Sequence, residues 1–303
     1  FYALWQPTKD PDMLQRLSLL AVGVLYVSMS IQVLYHVFII TFALLMLYPL
    51  LWMISASFKD TLEIFQGTHF LPETFKMDNY SQGWQGLSGV TFGRFFMNSF
   101  LIVIVAMIGN LSSCLLAANA FAKIKFPLKG FWFALMMGTL MLPMHVKLIP
   151  QYIMYNKLGW INTYLPLMVP KFLATEGFFV FLMTQYMRGL PKEIDEAAIC
   201  DGCGQWQRFI RITVPLSVPA IVTTTIFTFI WTWNDFFSQM LYITGIEKFT
   251  VALALRQFVD ATGNSSWGAL FAMSTLSLLP LFLMFVFFQN YLVEGITAGS
   301  IKG

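Results

Sequence analysis

The chain has 303 residues, of which 57% are hydrophobic and 11% are charged, with a formal net charge of +3 and a mean hydropathy of +0.68. Soluble globular proteins carry about 25% charged residues, so this composition excludes a soluble domain. We expect a lipid bilayer and no nucleic acid among its partners.

Several uncharged apolar runs reach about twenty residues, the length that a helix needs to cross a hydrocarbon core of roughly 30 Å. Short strands of alternating polarity, which a membrane β-barrel requires, are absent from the sequence. The sequence therefore predicts an all-α membrane protein with six transmembrane helices. The predicted spans are Val33–Ser57, Phe96–Ala122, Phe131–Tyr152, Tyr164–Met187, Leu216–Leu241 and Trp267–Leu292.

The first apolar run is longer than one perpendicular crossing, because no Asp, Glu, Lys or Arg occurs in the 41 residues from Leu17 to Ser57. Two helices joined by a tight hairpin are one interpretation, but a hairpin in lipid leaves backbone groups unpaired. We predict instead one crossing from Val33, preceded by an interfacial helix over Leu14–Ser30. Residues 1–32 then form an N-terminal cytoplasmic or interfacial segment.

The loop between the second and third predicted spans indicates the orientation of the chain. It contains Lys123, Lys125 and Lys129 and no acidic residue among them. Short loops rich in Lys and Arg stay in the cytoplasm. Counting spans from this loop places the N-terminus, the segment after the fourth span and the C-terminal tail on the cytoplasmic side.

The loop between the fourth and fifth spans begins with a helix signature. Pro191 suits the first position of a helix, where its missing N–H costs nothing. Glu193, Asp195 and Glu196 follow near the positive end of the helix dipole. Gly202 supplies the left-handed conformation that commonly ends a helix.

A second short helix is predicted over Gln205–Thr213, closed by Pro215. Apolar residues recur along it at a spacing of three and four positions, which forms one stripe, while Arg208 and Arg211 point elsewhere. The stripe consists of Trp206, Phe209 and Ile210. A well-folded intracellular loop and a docking element for another protein both fit this helix-turn-helix.

The string EAAICDGCGQWQRFIRITVP, from Glu196 to Pro215, resembles the EAA signature of binding-protein-dependent ABC importer permeases, with Val214 where Leu is usual. Further strings similar to the maltose-type sugar permeases occur in order along the chain. They are YPLLWMISASFK at Tyr48–Lys59, NSF at Asn98–Phe100, AFAKIKFP at Ala120–Pro127, LIPQY at Leu148–Tyr152, WND at Trp233–Asp235 and EGITAGSIKG at Glu294–Gly303.

The resemblance implies an importer transmembrane domain over residues 33–303, with a coupling loop at 188–214 that docks on an ATPase and a cytoplasmic tail at 293–303. The residues that it assigns to ATPase coupling are Asp195, Glu196, Ala197, Ala198, Gly202, Trp206, Arg208 and Pro215. In the tail, Gly299 and Lys302 are expected to contact the ATPase subunits.

The partners implied by the resemblance are a second, related permease in a heterodimer, two ABC ATPase subunits, an extracytoplasmic solute-binding protein and a carbohydrate substrate. The expected location is a bacterial plasma (inner) membrane. This chain resembles the second permease of the heterodimer.

The chain is not predicted to be an enzyme, because it has no GxxxxGK[ST] phosphate-binding loop. ATP and Mg²⁺ are expected on the partner ATPase subunits, and no cofactor or metal on this chain. Cys200 and Cys203 form a CxxC pair but lack a second ligand pair for zinc. His36, His69 and His145 lie far apart in sequence.

Polar and aromatic residues cluster in the fifth span, where they are costly in lipid and therefore face a wet cavity or the protein interior. Aromatic faces with amide and carboxylate acceptors suit a sugar, so we predict a substrate pathway there. Its candidate residues are Trp231, Trp233, Asn234, Asp235 and Gln239. For Asn234 and Asp235, helix packing or gating is an equal alternative.

Other interpretations of the sequence remain open. Lys171 and Glu176 in the fourth span either pair with each other or line the external mouth. The solute is a carbohydrate, as the motifs suggest, or another polar molecule such as a glycerol phosphate. A channel or secondary transporter, or a membrane-embedded enzyme, is a different class of protein that these motifs do not favour.

Overall fold

The structure is a computed structural model that describes residues 11–67, 69–260 and 266–297. These residues contain no β-strand, only an isolated bridge between Leu87 and Val90, so the predicted all-α fold is confirmed. In chain order the α-helices are α1 (Pro11–Ala56), α2 (Thr61–Gln66), α3 (Asp78–Gln85), α4 (Phe92–Lys123), α5 (Lys129–Leu140), α6 (Met144–Lys157), α7 (Leu165–Met168), α8 (Gly177–Gly189), α9 (Lys192–Cys200), α10 (Gln205–Arg208), α11 (Val214–Leu216), α12 (Val218–Trp233), α13 (Phe237–Tyr242), α14 (Val251–Asp260) and α15 (Trp267–Thr297).

Three shorter segments complete the described helices. Val169–Leu173 and Ile246–Lys248 are 3₁₀-helices, and Phe209–Thr213 is a π-helix. Among the described residues, four helical stretches are long and apolar enough to cross a membrane: Val22–Ala56, Phe92–Lys123, Trp267–Gln289 and Leu165–Gly189, the last of which combines α7, a 3₁₀-helix and α8. The number is six if each of two bent helix pairs counts as one span. The predicted number of spans is reached only by counting those bent pairs.

The chain divides into two compact units, of which the first covers Phe1–Ser55. Its described part is α1, a helix of 46 residues that is about 69 Å long at 1.5 Å per residue. Every described side chain from Val22 to Leu50 is exposed. The helix has no break between Ser30 and Val33, so the predicted separate interfacial helix is not formed. An interfacial position for its first turns stays a prediction.

The second unit, Ala56–Gly303, is built around α4. Phe92, Phe95 and Ile102 in the first half of α4 pack with residues of α12, α14 and α15 in one buried apolar cluster. Cys114 and Ala118 in the second half of α4 pack with α8 in another. This long helix therefore connects the two ends of the unit.

Buried polar side chains of α4 fix the segment that precedes α14. The Asn98 amide donates to the carbonyls of Glu247 and Phe249, both at 2.9 Å. The Ser99 hydroxyl accepts from the Val251 N–H, also at 2.9 Å. These bonds satisfy backbone groups outside regular helix, which explains the NSF string in physical terms.

Three of the predicted spans are interrupted. The third consists of α5 and α6, which are bent by 101° at a break that ends at Pro143. The fourth is broken after the 3₁₀-helix by Ala174, whose φ is +52°. The fifth ends as a regular helix at Trp233, and α13 continues it only after a gap of three residues.

Candidate functional sites

The turn between α9 and α10 has the geometry that the sequence predicts. Gly202 has a φ of +76°. Its N–H donates to the Ile199 carbonyl at 3.0 Å, and the Cys203 N–H donates to the Ala198 carbonyl at 2.9 Å. These two bonds form a Schellman closure of the helix, in which glycine avoids the cost of the left-handed conformation.

Two prolines differ from their predicted roles. Pro191 is the N-cap of α9, one position before its first residue. Pro215 does not close the second helix. It lies inside α11, which directly follows the π-helix Phe209–Thr213. The wide turn of the π-helix accommodates a residue without an N–H. The chain bends instead at Ser217, where the axes on either side differ by 74°.

The exposed apolar side chains of the coupling loop come from both of its helices. Phe209, predicted in the stripe, is only 7% exposed and belongs to the buried cluster around α8. Trp206 is 62% exposed, and its ring centroid lies 5.4 Å from that of Phe209. We call the exposed set the loop face: Ile194, Ile199, Trp206 and Ile210.

The residues predicted to couple to an ATPase divide into two groups. Asp195, Ala198 and Arg208 are partly or fully buried, and the Arg208 Nε has no hydrogen-bond partner within the described ranges. The structure places these three in the support of the loop rather than on its surface. The exposed members are Glu196, Ala197, Gly202, Trp206 and Pro215. Gly299 and Lys302 lie outside the described residues.

An ion pair ties α9 to the end of α4. The Lys123 Nζ lies 2.5 Å from the Asp195 Oδ2, with the two side chains 19% and 17% exposed. A pair at this depth is screened less by solvent than a surface pair. It holds the coupling loop against the loop that follows α4.

We expect Lys123→Met to weaken this attachment, because Asp195 keeps its charge and loses its counter-ion. The cost is about 1 to 2 kcal/mol, between the values for exposed and buried pairs. The apparent melting temperature of the purified protein is the measurement. Lys125→Met is the matched control, since Lys125 is exposed and has no ion pair in the described part of the chain. Equal melting temperatures for the two variants would contradict the role of the pair.

A cavity of about 610 Å³ lies within the second unit. We call it the central cavity. Its walls come from α4, α6, α7, α12 and α13, from the 3₁₀-helix Val169–Leu173, and from the breaks in the fourth and fifth predicted spans. Its polar and aromatic lining residues are Lys147, Gln151, Tyr155, Lys171, Thr175, Glu176, Trp231, Thr232, Asn234, Asp235, Ser238, Gln239 and Tyr242.

Trp231 supplies an aromatic surface to this cavity. Its ring centroid lies 4.9 Å from that of Phe179 and 5.5 Å from that of Phe178, so these rings support it from behind. Trp231 is nevertheless 45% exposed. Asn234 and Asp235 follow one turn later, where α12 has ended, and line the same cavity.

Two predicted pathway residues have mainly structural roles. Trp233 does not line the cavity: it is 3% exposed, stacks on Phe229 at 5.7 Å, and donates its indole N–H to the Ser277 carbonyl. Gln239 touches the cavity but is 2% exposed, and its amide oxygen accepts from the Thr250 hydroxyl. An aromatic residue two positions from Trp231 on a helix points to a different side.

Of the two alternatives for Lys171 and Glu176, the structure shows the ion pair; a position at the external mouth stays a prediction. The Lys171 Nζ lies 2.5 Å from the Glu176 Oε1, and both residues line the central cavity. The pair spans the break at Ala174. The sequence did not predict the contribution of α6, which includes Lys147 and Tyr155 and whose only signal was the LIPQY string. From α13 it predicted Gln239 but not Ser238 or Tyr242.

The fold and these two sites define a membrane transport component, and the comparisons agree. Residues 15–298 match the family described as binding-protein-dependent transport system inner membrane component. The chain belongs to this family.

Curated relatives cover most of the chain. A probable ABC transporter permease protein, YurM, of Bacillus subtilis is 35% identical over 268 residues, covering 88% of this chain and 87% of the relative. The trehalose/maltose transport system permease protein MalG of Thermococcus litoralis is 32% identical, with coverages of 87% and 94%.

Solved structures share the fold. A chain of a bacterial ABC transporter involved in the import of the acidic polysaccharide alginate aligns with a TM-score of 0.73 at 20% identity. The alignment covers 95% of this chain and 99% of that one. At this identity the likeness concerns the fold alone.

Proposed function

We propose that this chain is one permease subunit of an ATP-driven importer that takes up a carbohydrate, in particular an oligosaccharide. An extracytoplasmic solute-binding protein delivers the solute, and a separate ATPase supplies the energy through the coupling loop. The observation that carries this proposal is the loop face. It is a set of exposed apolar side chains on a capped loop, outside the six spans predicted from the sequence.

The coupling loop is firmly attached to the helices around it, so that it can transmit force to them. The Schellman closure fixes the angle between α9 and α10, and Phe209 anchors α10 in the cluster around α8. The ion pair between Lys123 and Asp195 links α9 to α4. A push on Trp206 is therefore passed to α4, which lines the central cavity, and to α8, whose Phe178 and Phe179 pack against Trp231. This connection is what an importer needs.

The central cavity suits a sugar. A pyranose offers an apolar face and a ring of hydroxyls, and the cavity offers Trp231 with amide, carboxylate and phenol groups. The relatives point the same way. Besides trehalose/maltose, their names specify arabinooligosaccharides in Halalkalibacterium halodurans and diacetylchitobiose in Streptomyces coelicolor.

The assembly that we propose contains a second permease in a heterodimer and two ATPase subunits, which hold ATP and Mg²⁺. The chain lies in a bacterial inner membrane with both termini in the cytoplasm, as the lysines at 123, 125 and 129 support. Gly299 and Lys302 in the tail are proposed to contact the ATPase subunits.

The direct test is ATP hydrolysis by the complete complex reconstituted in nanodiscs. A solute-binding protein loaded with its sugar is expected to stimulate hydrolysis severalfold over the complex alone. Failure of this chain to assemble with any ATPase subunit would contradict the proposal. A panel of binding proteins and sugars is tested, and the pair that stimulates hydrolysis identifies the solute.

We expect Gly109→Ala to impair uptake by displacing one wall of the cavity. A Cβ at Gly109 would lie 2.7 Å from two ring carbons of Phe172, so either this ring, which is 47% exposed, or the 3₁₀-helix that carries it together with Lys171 must move. Overpacking of this kind costs about 1 to 3 kcal/mol. Initial uptake rates into proteoliposomes measure the effect, and Gly138→Ala is the control, because nothing lies within 4 Å of its new Cβ. Wild-type uptake by Gly109→Ala would show that this wall is not part of the pathway.

A further inference from the structure

The central cavity has a balanced set of charges. Its ionisable cations are Lys147 and Lys171, and its carboxylates are Glu176 and Asp235. The fold alone does not require this balance, since a related fold belongs to an importer of an acidic polysaccharide. A cavity that concentrates anions is lined by an excess of cations. The central cavity has no such excess, because its cations and carboxylates are equal in number.

Glu176 is the ion-pair partner of Lys171, and α4 holds both residues in place. The Ser113 hydroxyl donates to the Lys171 carbonyl at 2.7 Å. The neighbouring Phe172 ring packs directly against Gly109. The backbone before the break is thus fixed, and after the break the Cys114 thiol of α4 contacts the Glu176 carbonyl at 3.9 Å. The 2.5 Å ion pair faces the cavity as a dipole rather than as a free cation.

The remaining two charges come from different helices. The Asp235 carboxylate accepts the Ser238 N–H at 3.0 Å, which keeps it in place after the end of α12. Lys147 is exposed in the first turn of α6 and pairs with no carboxylate in the described ranges. A solute here meets one cation, one carboxylate, one ion pair and the exposed ring of Trp231, with the largely buried Tyr155 and Tyr242 in the wall.

We propose that the central cavity selects neutral oligosaccharides over anionic ones, and that the Lys171–Glu176 pair is the element that sets this selectivity. The inference rests on the proposed function and names its substrate class. Neutral sugars supply both hydrogen-bond donors and acceptors, which a lining of mixed charge satisfies. A uronate would need unpaired cations in excess of carboxylates, because charge-assisted bonds to carboxylates form with free Lys or Arg. Here Glu176 pairs with Lys171, and the charge of Asp235 offsets that of Lys147.

The electrostatic potential of the cavity can be measured without transport. The reporter is a cysteine introduced by Ser238→Cys in the complete complex. In the same chain Cys200 and Cys203 are replaced by Ser, whereas Cys114 is kept because it is fully buried. The reporter thiol is treated at low salt, in separate experiments, with two methanethiosulfonate reagents. One reagent carries an anionic sulfonate group and the other a cationic trimethylammonium group. The ratio of the two rates, relative to a free thiol in solution, reports the sign of the local charge.

We expect a ratio near that of the free thiol when the pair is intact. Glu176→Gln frees Lys171 and should raise the anion-to-cation ratio about tenfold, and Lys171→Gln should lower it about as much. The swap Lys171→Glu with Glu176→Lys should restore the ratio. Asp60→Asn is the control: it also removes one negative charge, but from an exposed ion pair with Lys76 outside the cavity.

Direct binding gives the second measurement. Equilibrium dialysis of the complex without its binding protein should retain labelled maltotriose in preference to trigalacturonate, and Glu176→Gln should reverse or abolish that preference. A wild-type rate ratio that strongly favours the anionic reagent, or preferential retention of trigalacturonate, would overturn the inference. Absence of ATPase stimulation with the expected rate ratios would instead count against the proposed function.

Discussion

Gly202→Asp is expected to reduce ATP hydrolysis stimulated by the binding protein about thirtyfold, as loss of an interface hot spot worth ~2 kcal/mol does. Gly202 lies in the left-handed region with φ +76°, and no atom lies within 4 Å of a new Cβ. The added carboxylate therefore projects outward from the turn. It also stands beside Asp201 at the C-terminus of α9, where negative charge is unfavourable.

The control for this variant is Gly189→Asp. Gly189 is also exposed and has nothing within 4 Å of a new Cβ, but its φ is not in the left-handed region. The Gly202 variant should still copurify with the second permease while it loses ATPase subunits. Normal stimulation in Gly202→Asp would mean that the turn does not take part in coupling.

Trp231→Ala is expected to lower the initial rate of sugar uptake about tenfold, the factor that ~1.4 kcal/mol corresponds to. The substitution removes the exposed aromatic surface of the cavity, while the rings of Phe178 and Phe179 behind it remain. Trp231→Phe should keep at least half of the wild-type rate, because it retains an aromatic face. Uptake of labelled sugar by proteoliposomes with ATP inside is the measurement.

Trp132→Ala tests whether any loss comes from stability alone. Trp132 is 48% exposed, close to the 45% of Trp231, but does not line the cavity. Its uptake should stay near the wild-type rate. If both variants lose uptake equally, the effect does not come from the cavity, and Trp231 has no special role in the pathway.

The sequence predicted unbroken helices well and broken ones poorly. The spans starting at Phe96 and Trp267 correspond to α4 and α15, because uninterrupted apolar runs have one stable arrangement in lipid. The third to fifth predicted spans contain breaks at Pro143, Ala174 and Asn234 that hydropathy does not detect. Apolarity continues through each break, and tertiary contacts satisfy the interrupted backbone.

The coupling loop was predicted more closely than the cavity. Gly202 ends α9 as expected, because a Schellman closure depends on local sequence. The inward positions of Asp195 and Phe209 depend on Lys123 and on α8, which are distant in sequence. The cavity likewise joins Lys147 to Asp235 through the bend between α5 and α6. Such long-range pairings cannot be derived from one sequence.

The central claim is tested most directly by uptake into proteoliposomes that contain the complete complex, with ATP trapped inside and a loaded solute-binding protein outside. We predict accumulation of sugar only when both are present, and its loss in Gly202→Asp. Solute movement by this chain alone, independent of ATP, the binding protein and that substitution, would contradict the account. It would indicate a channel or secondary transporter instead.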